Sequence, residues 1–236
     1  MITTFHRLII CILLSSLPCI TQATTIPPSP GNDHPQTIEI VYPATARPDI
    51  KKIKAFCKSH SIPLTSVYQW QNRAVIFGNI PDVRNNQQRL QQLFPKATVK
   101  LYESPFYIFS NKDNCNNKST WTGEWDHIIL TANLVADTIK QREYLQYHAT
   151  QFKEWPEISK GFCNADFQQL LIFKNGRQLM LVISIPKGAD FEKINSRTTE
   201  NNPRVNDWNK MMAQYQEGVG GTKPGETWVF FEHANF

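Results

Sequence analysis

The chain of 236 residues has few cysteines, few glycines and little excess charge. Its five cysteines include no Cys-x-x-Cys pair and its six histidines form no His-x-His or His-Glu-x-x-His pattern, so the usual zinc-binding spacings are absent. A formal net charge of +5 over the whole chain is not the concentrated basic face that nucleic-acid binding requires, and we predict no such partner. A mean hydropathy of −0.40 excludes a polytopic membrane protein. What is abundant is aromatic side chains (14 Phe, 7 Tyr and 6 Trp), in a composition typical of globular proteins.

The first residues have the composition of a secretory signal peptide. Arg7 precedes an apolar run over residues 8–17, which is too short to span a bilayer, and the small residues of 21–23 suit a signal peptidase. We therefore predict a signal peptide over residues 1–23, a linker over 24–36, and a periplasmic or secreted protein with no membrane attachment after cleavage. A lipid-anchored form through Cys19 is the alternative, although the proline before it is unfavourable.

Cleavage would change the meaning of the cysteine count. Cys11 and Cys19 would leave with the signal peptide, so that Cys57, Cys115 and Cys163 remain. An odd number allows one disulfide at most and leaves one thiol over, and the spacing does not choose the pair.

Two successive segments show the same order of elements, β-α-β-β-α-β, which is the ferredoxin-like pattern. The first covers residues 37–110, and includes one long strand over 99–109 that bends or forms an edge at Pro105. The second covers residues 126–236 and contains a hairpin whose Asn-Gly turn favours positive φ. A polar, Asn-rich linker over 111–125 separates them. We predict an α+β fold in which two tandem ferredoxin-like units pack as a pseudo-dimer resembling a dimeric α/β-barrel, either monomeric or as a homodimer.

The chemistry concentrates in the second segment. Tyr144 and His148 are four residues apart in a predicted helix, so both project from one face. A histidine exchanges protons near neutral pH and a tyrosine hydroxyl can orient it or a substrate, although an ordinary packed pair has the same spacing. Trp155 and Trp208 follow, and a tryptophan ring suits the apolar C–H face of a sugar, with core packing as the alternative.

Five short segments, taken together and in order, resemble the L-rhamnose mutarotase family. They are 143–149 (EYLQYHA), 155–158 (WPEI), 172–177 (IFKNGR), 202–212 (NPRVNDWNKMM) and 225–229 (GETWV). The resemblance covers about residues 126–232. It implies a dimeric α/β-barrel that interconverts the α and β anomers of L-rhamnose, with a monosaccharide as its small-molecule partner and no cofactor.

The resemblance also implies residue roles. His148 corresponds to the general acid/base, Tyr144 to a sugar-binding tyrosine, and Trp208 to the first tryptophan of an aromatic pair that contacts the substrate. The second position of that pair is Asn209 in this sequence, and Gln169 falls near a further sugar-contacting tyrosine of some members. Three extra residues separate the histidine from the Trp-Pro-Glu segment. These departures concern the identity of the sugar.

Mutarotation requires the anomeric hydroxyl to lose a proton while the ring oxygen gains one. A residue that titrates near neutrality can act in either direction. We therefore predict a secreted isomerase acting on L-rhamnose or a related deoxysugar, with no bound metal. Its predicted site consists of catalytic His148 and the substrate-binding residues Tyr144, Trp155, Trp208, Gln169 and Asn209.

Two other classes of protein fit the same features. A periplasmic sugar-binding accessory protein would keep the aromatic pocket without turnover, and a cofactor-free monooxygenase would use the same fold. The first segment has Ala55, Phe56 and Cys57 where the second has His148. We therefore expect the first segment to be a degenerate structural partner whose sheet covers the catalytic one.

Overall fold

The computed structural model describes residues 34–116 and 122–234. The predicted signal peptide, with Cys11 and Cys19, and most of the predicted 24–36 linker lie outside these residues. Within the described ranges no helix combines the length and the apolar character needed to cross a membrane.

Residues 34–116, the first described range, contain five strands and three α-helices. They are β1 (Gln36–Val41), α1 (Ile50–Ser59), β2 (Val67–Trp70), β3 (Arg73–Gly78), α2 (Val83–Leu93), β4 (Thr98–Tyr102), β5 (Tyr107–Ser110) and the short α3 (Asn111–Asn114). Helix α1 begins where the Asp49 carboxylate accepts a hydrogen bond from the Lys52 backbone N–H, 3.0 Å away. Its buried face carries Ile53, Phe56 and Cys57, at the spacing that a helix requires.

The second part contains a longer set of elements. They are β6 (Trp125–Leu134), α4 (Thr138–Glu154), α5 (Pro156–Asn164), β7 (Gln169–Asn175), β8 (Gln178–Pro186), α6 (Phe191–Asn195), α7 (Pro203–Met212), β9 (Gln216–Glu217) and β10 (Val229–His233). Asp137 caps α4 by accepting from the N–H groups of Ile139 and Lys140. Gly176 adopts φ +59° in the two-residue turn between β7 and β8, as the Asn-Gly sequence predicted.

The strands form a ten-stranded sheet in the order β4-β1-β3-β2-β10-β6-β8-β7-β5, with β9 paired to β6. The pairings among the described strands are antiparallel. The order β4-β1-β3-β2 in the first part has the same form as β10-β6-β8-β7 in the second. The predicted α+β class is confirmed. The sheet curls so that β7 approaches β4, which lies far from it in the strand order: the Asn175 amide on β7 donates to the Leu101 carbonyl on β4 at 3.0 Å.

The strand predicted across residues 99–109 is two strands. Strand β4 pairs with β1, whereas β5 leaves the first part of the sheet and pairs with β7, with Tyr107 opposite Ile172. Pro105 lies in the break, where it has no N–H to give to a ladder. The chain resumes pairing at Phe106, whose N–H donates to the Ile172 carbonyl at 2.9 Å.

Three clusters of buried apolar side chains form the core of the described residues. One packs α4, α5 and α7 on a face of β7 and β8, and another packs α1 and α2 on β1, β3 and β4. The third contains side chains of both parts of the sheet, with Tyr68, Phe77 and Tyr102 beside Leu171 and Phe173. The two parts of the described chain are thereby joined by a shared apolar layer.

A buried charged group lies in that layer. Glu39 is 0% exposed and pairs with Arg73 at 2.7 Å between Oε1 and the guanidinium. The Tyr102 hydroxyl and the Gln178 amide also donate to this carboxylate, each at 3.0 Å. Gln178 belongs to β8, so the network connects the two parts of the sheet and satisfies the charge away from water.

The structure chooses among the three cysteines. Cys115, which follows α3, is bonded to Cys163 in α5, and Cys57 is the free, buried cysteine of the described residues. The odd count had left this pairing open. Burial raises the pKa of the Cys57 thiol to about 11, which keeps it protonated at neutral pH.

Candidate functional site

A cavity of about 360 Å³ lies between the sheet and helices α4, α5 and α7. This volume falls within the range of small-molecule sites. Its apolar floor consists of alternate residues of two neighbouring strands, Leu170 and Ile172 on β7 and Leu181 and Ile183 on β8. Side chains of a strand alternate between its faces, so these four point to the same side of the sheet.

His148 lines the cavity from the middle of α4 and is 6% exposed. Its Nδ1 lies 2.9 Å from the Tyr144 carbonyl oxygen, one helical turn earlier. Because a carbonyl only accepts, the neutral ring carries its proton on Nδ1 and leaves a lone pair on Nε2. Burial lowers the pKa of His148 to about 4, against a smaller opposing effect of this hydrogen bond. At neutral pH the side chain is therefore an uncharged base. The expectation that this histidine titrates near neutrality is wrong, because burial penalises its charged form.

Four aromatic rings surround this imidazole. The centroid of Tyr144 lies 4.3 Å away, and those of Tyr107 and Trp208 each lie 5.3 Å away. Phe106 adds an edge contact at 5.8 Å. The rings exclude water from His148, which accounts for the direction of its pKa shift.

The hydroxyl of Tyr144 is oriented by a chain of two hydrogen bonds. The Trp228 indole N–H donates to Gln216 Oε1 at 3.0 Å, and Gln216 Nε2 donates to the Tyr144 hydroxyl at 3.2 Å. An indole can only donate, so it fixes which end of the Gln216 amide is oxygen. The Tyr144 hydroxyl is an acceptor in this chain, and its own hydrogen remains available to a ligand. Burial raises the pKa of Tyr144 above its ordinary value, so the group is protonated at neutral pH.

The cavity wall contains no formal charge among its described residues. Its polar side chains are those of His148, Tyr144 and Tyr107, together with Asn195, Thr198, Asn209, Gln216, Thr227 and the indole of Trp228. This combination of an apolar floor, aromatic walls and a few neutral polar groups favours an uncharged polar ligand. His148 and Tyr144 are buried ionisable groups of this cavity that share one face of α4, and such groups can donate or accept a proton.

Four of the six predicted site residues line this cavity: Tyr144, His148, Trp208 and Asn209. Trp155 lies behind Trp208 instead. Its ring packs edge-on against Trp208 with centroids 5.5 Å apart, and the Arg204 guanidinium lies 3.9 Å from its centroid. The structure thus places Trp155 where it supports the cavity wall.

Gln169 lies outside this cavity. It is the first residue of β7, and because Leu170 and Ile172 face the helices, Gln169 belongs to the opposite face of the sheet. There it lines a different pocket, which also includes His127 and Trp125. The prediction of Gln169 as a site residue came from its position along the chain, which does not show to which face of a strand a side chain points.

Sequence reasoning missed three side chains of the site. Gln216 and Trp228 orient Tyr144. Trp228 lies in the GETWV segment, one of the five that carry the family resemblance, so the sequence could have indicated it as a site residue. Tyr107 comes from β5, outside the recognised region. Its place beside His148 depends on the pairing of β5 with β7, for which no local pattern exists.

The part of the chain that forms most of this cavity is similar to sugar mutarotases. Residues 127–234 match the family model of L-rhamnose mutarotase, which confirms the resemblance drawn from the five sequence segments. An L-fucose mutarotase from Xanthomonas campestris pv. campestris is 26% identical over 87 residues, which cover 36% of this chain and 67% of that protein. The family-model match over residues 127–234 includes His148, Tyr144 and Trp208 and begins after β5.

Two solved structures are similar over much of the chain. One, described as a monooxygenase from Fusobacterium nucleatum subsp. nucleatum, has 6% identity and a TM-score of 0.46, and the match covers 84% of this chain and 91% of that one. The other, described as a chlorite dismutase, has 10% identity and a TM-score of 0.34, covering 84% and 94%.

Proposed function

We propose that this protein interconverts the α and β anomers of L-rhamnose or a related deoxysugar. The observation that carries the proposal is the pair of His148 and Tyr144 in an uncharged aromatic cavity, within the segment that matches the mutarotase family. One group is a neutral base and the other a protonated hydroxyl at neutral pH.

The two groups suffice for a balanced reaction. His148 Nε2 accepts the proton of the anomeric hydroxyl, the bond between C1 and the ring oxygen breaks, and the ring oxygen takes the Tyr144 proton. The resulting open aldehyde rotates about its C1–C2 bond. Ring closure then reverses both transfers, so that each side chain recovers its starting form and no net proton is consumed.

The cavity also suits the apolar parts of a deoxysugar. Leu170, Ile172, Leu181 and Ile183 form a floor against which a methyl group can be buried. The Trp208 ring offers a flat surface to the C–H face of a pyranose, and Trp155 and Arg204 support it from behind. Asn209, at the exposed rim, can hydrogen-bond a sugar hydroxyl.

Two tandem ferredoxin-like units, 37–110 and 126–236, would give one chain the architecture of a dimeric α/β-barrel. The identical form of the two strand orders and the apolar layer shared by both parts support this pseudo-dimer. A monomer is the expected state, with a homodimer as the alternative. Light scattering coupled to size-exclusion chromatography distinguishes the two states. A monomer without its signal peptide should have a mass slightly below the 27.2 kDa of the full chain, and a homodimer about twice that mass.

Export to the periplasm or the medium is part of the proposal. It is supported by the signal-like sequence of residues 1–23 and by the Cys115–Cys163 disulfide, since such bonds persist in oxidising compartments. Fractionation of cells that express the full chain tests it. Recovery of uncleaved protein in the cytoplasm would contradict it.

Saturation-transfer NMR tests the activity directly. Purified protein should accelerate exchange between the anomeric signals of a free deoxyhexose, and His148→Ala should return the rate to the uncatalysed background. Since removal of a general acid/base costs about 10²- to 10⁴-fold, the loss will be complete within the sensitivity of the assay. No acceleration for any sugar in a panel of deoxyhexoses would refute the enzymatic proposal.

A non-catalytic sugar-binding protein is the second candidate. The observation that favours it is Asn209 in place of an aromatic residue at the cavity rim, together with the position of Gln169 on the other face of the sheet. Binding of a deoxyhexose without accelerated exchange, in the same NMR experiment, would select this function.

A further inference from the structure

We propose that Tyr107, on β5, is a positioning residue of this site, which holds the His148 ring and ties it to the end of α4. The inference rests on the proposed function. It extends the site beyond residues 127–234, so that the first part of the chain completes the cavity and is more than a structural partner.

The ring of Tyr107 is fixed on two sides. It stands edge-on to His148, with centroids 5.3 Å apart and planes at 85°, and it stacks on Phe152 at 5.5 Å and 7°. Only 5% of Tyr107 is exposed. His148 and Phe152 are four residues apart on α4, so the tyrosine ring lies between successive turns of one helix face.

The Tyr107 hydroxyl is anchored as well. It donates to Gln151 Oε1 at 2.6 Å, and Gln151 Nε2 donates to the Trp155 carbonyl at 2.6 Å. Gln151 is 0% exposed, and the carbonyl of Trp155 can only accept, so the amide has one satisfied orientation. This chain connects β5 to the end of α4, where Trp155 packs against Trp208.

Strand β5 is held in place along its length by a neighbouring strand and, after its C-terminal end, by a disulfide bond. It pairs with β7 over four residues, from Tyr107 opposite Ile172 to Ser110 opposite Gln169. The Cys115–Cys163 bond follows shortly afterwards and fixes the chain to α5. Tyr107 is therefore presented to the cavity by a braced strand, which is the condition for precise placement of a neighbouring group.

This arrangement predicts how His148 titrates. The titratable side chains that face it are Tyr107 from β5 and Tyr144 from its own helix, while α7 presents Trp208 and the chain before β5 presents Phe106. None of these four carries a charge at neutral pH. Removal of the Tyr107 ring would admit water to the imidazole and bring its pKa back towards the ordinary value.

Three single variants of the full protein test the role of Tyr107. Tyr107→Leu removes the ring, and Tyr107→Phe removes only the hydroxyl. Phe109→Leu is the matched control, because Phe109 is also buried, lies two residues along the same strand, and contacts Phe162. The readouts are deoxyhexose anomer exchange and the NMR titration of the His148 ring, whose signals are those missing from His148→Phe.

Tyr107→Leu should raise the His148 midpoint by at least about one pH unit and reduce exchange by about tenfold or more, because the ring is displaced and hydrated. Tyr107→Phe should leave the midpoint unchanged and reduce exchange about fivefold, as expected for one lost hydrogen bond. Phe109→Leu should alter neither readout, even if it lowers stability.

The outcomes separate this inference from the proposed function. A Tyr107→Leu protein with the wild-type midpoint and rate would overturn the positioning role while leaving mutarotation intact. If wild-type protein shows no exchange but Tyr107→Leu still raises the midpoint, the proposed function fails and the placement of His148 by Tyr107 stands. If Tyr107→Leu does not fold, Tyr107→Phe decides, because unchanged exchange in that variant contradicts the anchoring through Gln151.

Discussion

Lowering the pH from 7 to 4 should destabilise the fold through His148. The side chain is buried as a neutral imidazole, and its pKa falls to about 4 in the folded protein because of desolvation. In the unfolded chain a histidine has a pKa near 6.5, so the unfolded state takes up a proton first as the pH falls. Stability from this group is therefore fully present above about pH 6.5, is lost progressively down to about pH 4, and changes little below that.

The size of the effect follows from the two pKa values. Linkage between proton binding and unfolding gives a loss of about 2 kcal/mol between pH 7 and pH 5, and about 3 kcal/mol between pH 7 and pH 4. The same arithmetic applies to His127, whose pKa burial also lowers to about 4. A comparison between two proteins that both retain His127 isolates the contribution of His148.

Urea unfolding of the wild type and of His148→Phe, at pH 7, 6, 5 and 4, provides that comparison. Phenylalanine fits an aromatic surrounding and cannot titrate, and the Tyr144 carbonyl keeps its backbone partner within the helix. The free energy of the wild type, relative to the variant, should fall by about 2 kcal/mol from pH 7 to pH 5. A difference that stays constant from pH 7 to pH 4 would refute the description of His148 as a buried neutral base.

Three further predictions concern the remaining structure. Replacing Cys115 and Cys163 together by alanine should lower the free energy of unfolding by about 4 kcal/mol, from the loop entropy of a 48-residue separation, and reductant should then have no further effect. Glu39→Gln should cost about 3–5 kcal/mol in urea unfolding, since it leaves the Arg73 charge buried without its partner; a loss under 1 kcal/mol would contradict that account. Tyr144→Phe should reduce anomer exchange by about 100-fold while costing about 1 kcal/mol of stability, so near-normal exchange would exclude the hydroxyl as a proton donor.

The break between β4 and β5 allows the first part of the chain to contribute residues to the cavity. A continuous strand over 99–109 would have kept these residues beside β1. Because the chain leaves that sheet at Pro105 and joins β7, Phe106 and Tyr107 reach His148 from outside the matched family region. A truncated protein that begins after β5 would therefore lack part of the cavity wall.

Local patterns along the chain predicted the centre of the site. Tyr144 and His148 share a helix face because of their four-residue spacing, and the NPRVNDW segment brought Trp208 to attention. Both predictions depend on distances of a few residues, over which helix geometry is fixed. Gln169 shows the limit of matching by position, because a shift of one residue in a strand moves a side chain to the other face of the sheet.

The sequence by itself determined the α+β class, the main helices and hairpins, and the mutarotase resemblance of the second part. These properties reside in periodicity, caps and short motifs, which act over a few residues. Only the tertiary structure decided that Cys115 pairs with Cys163, that Glu39 is neutralised from both parts of the sheet, and that Tyr107 faces His148. Each of these contacts joins residues more than 30 positions apart, so it depends on which strands pair and how the sheet curls, and no local pattern encodes that choice.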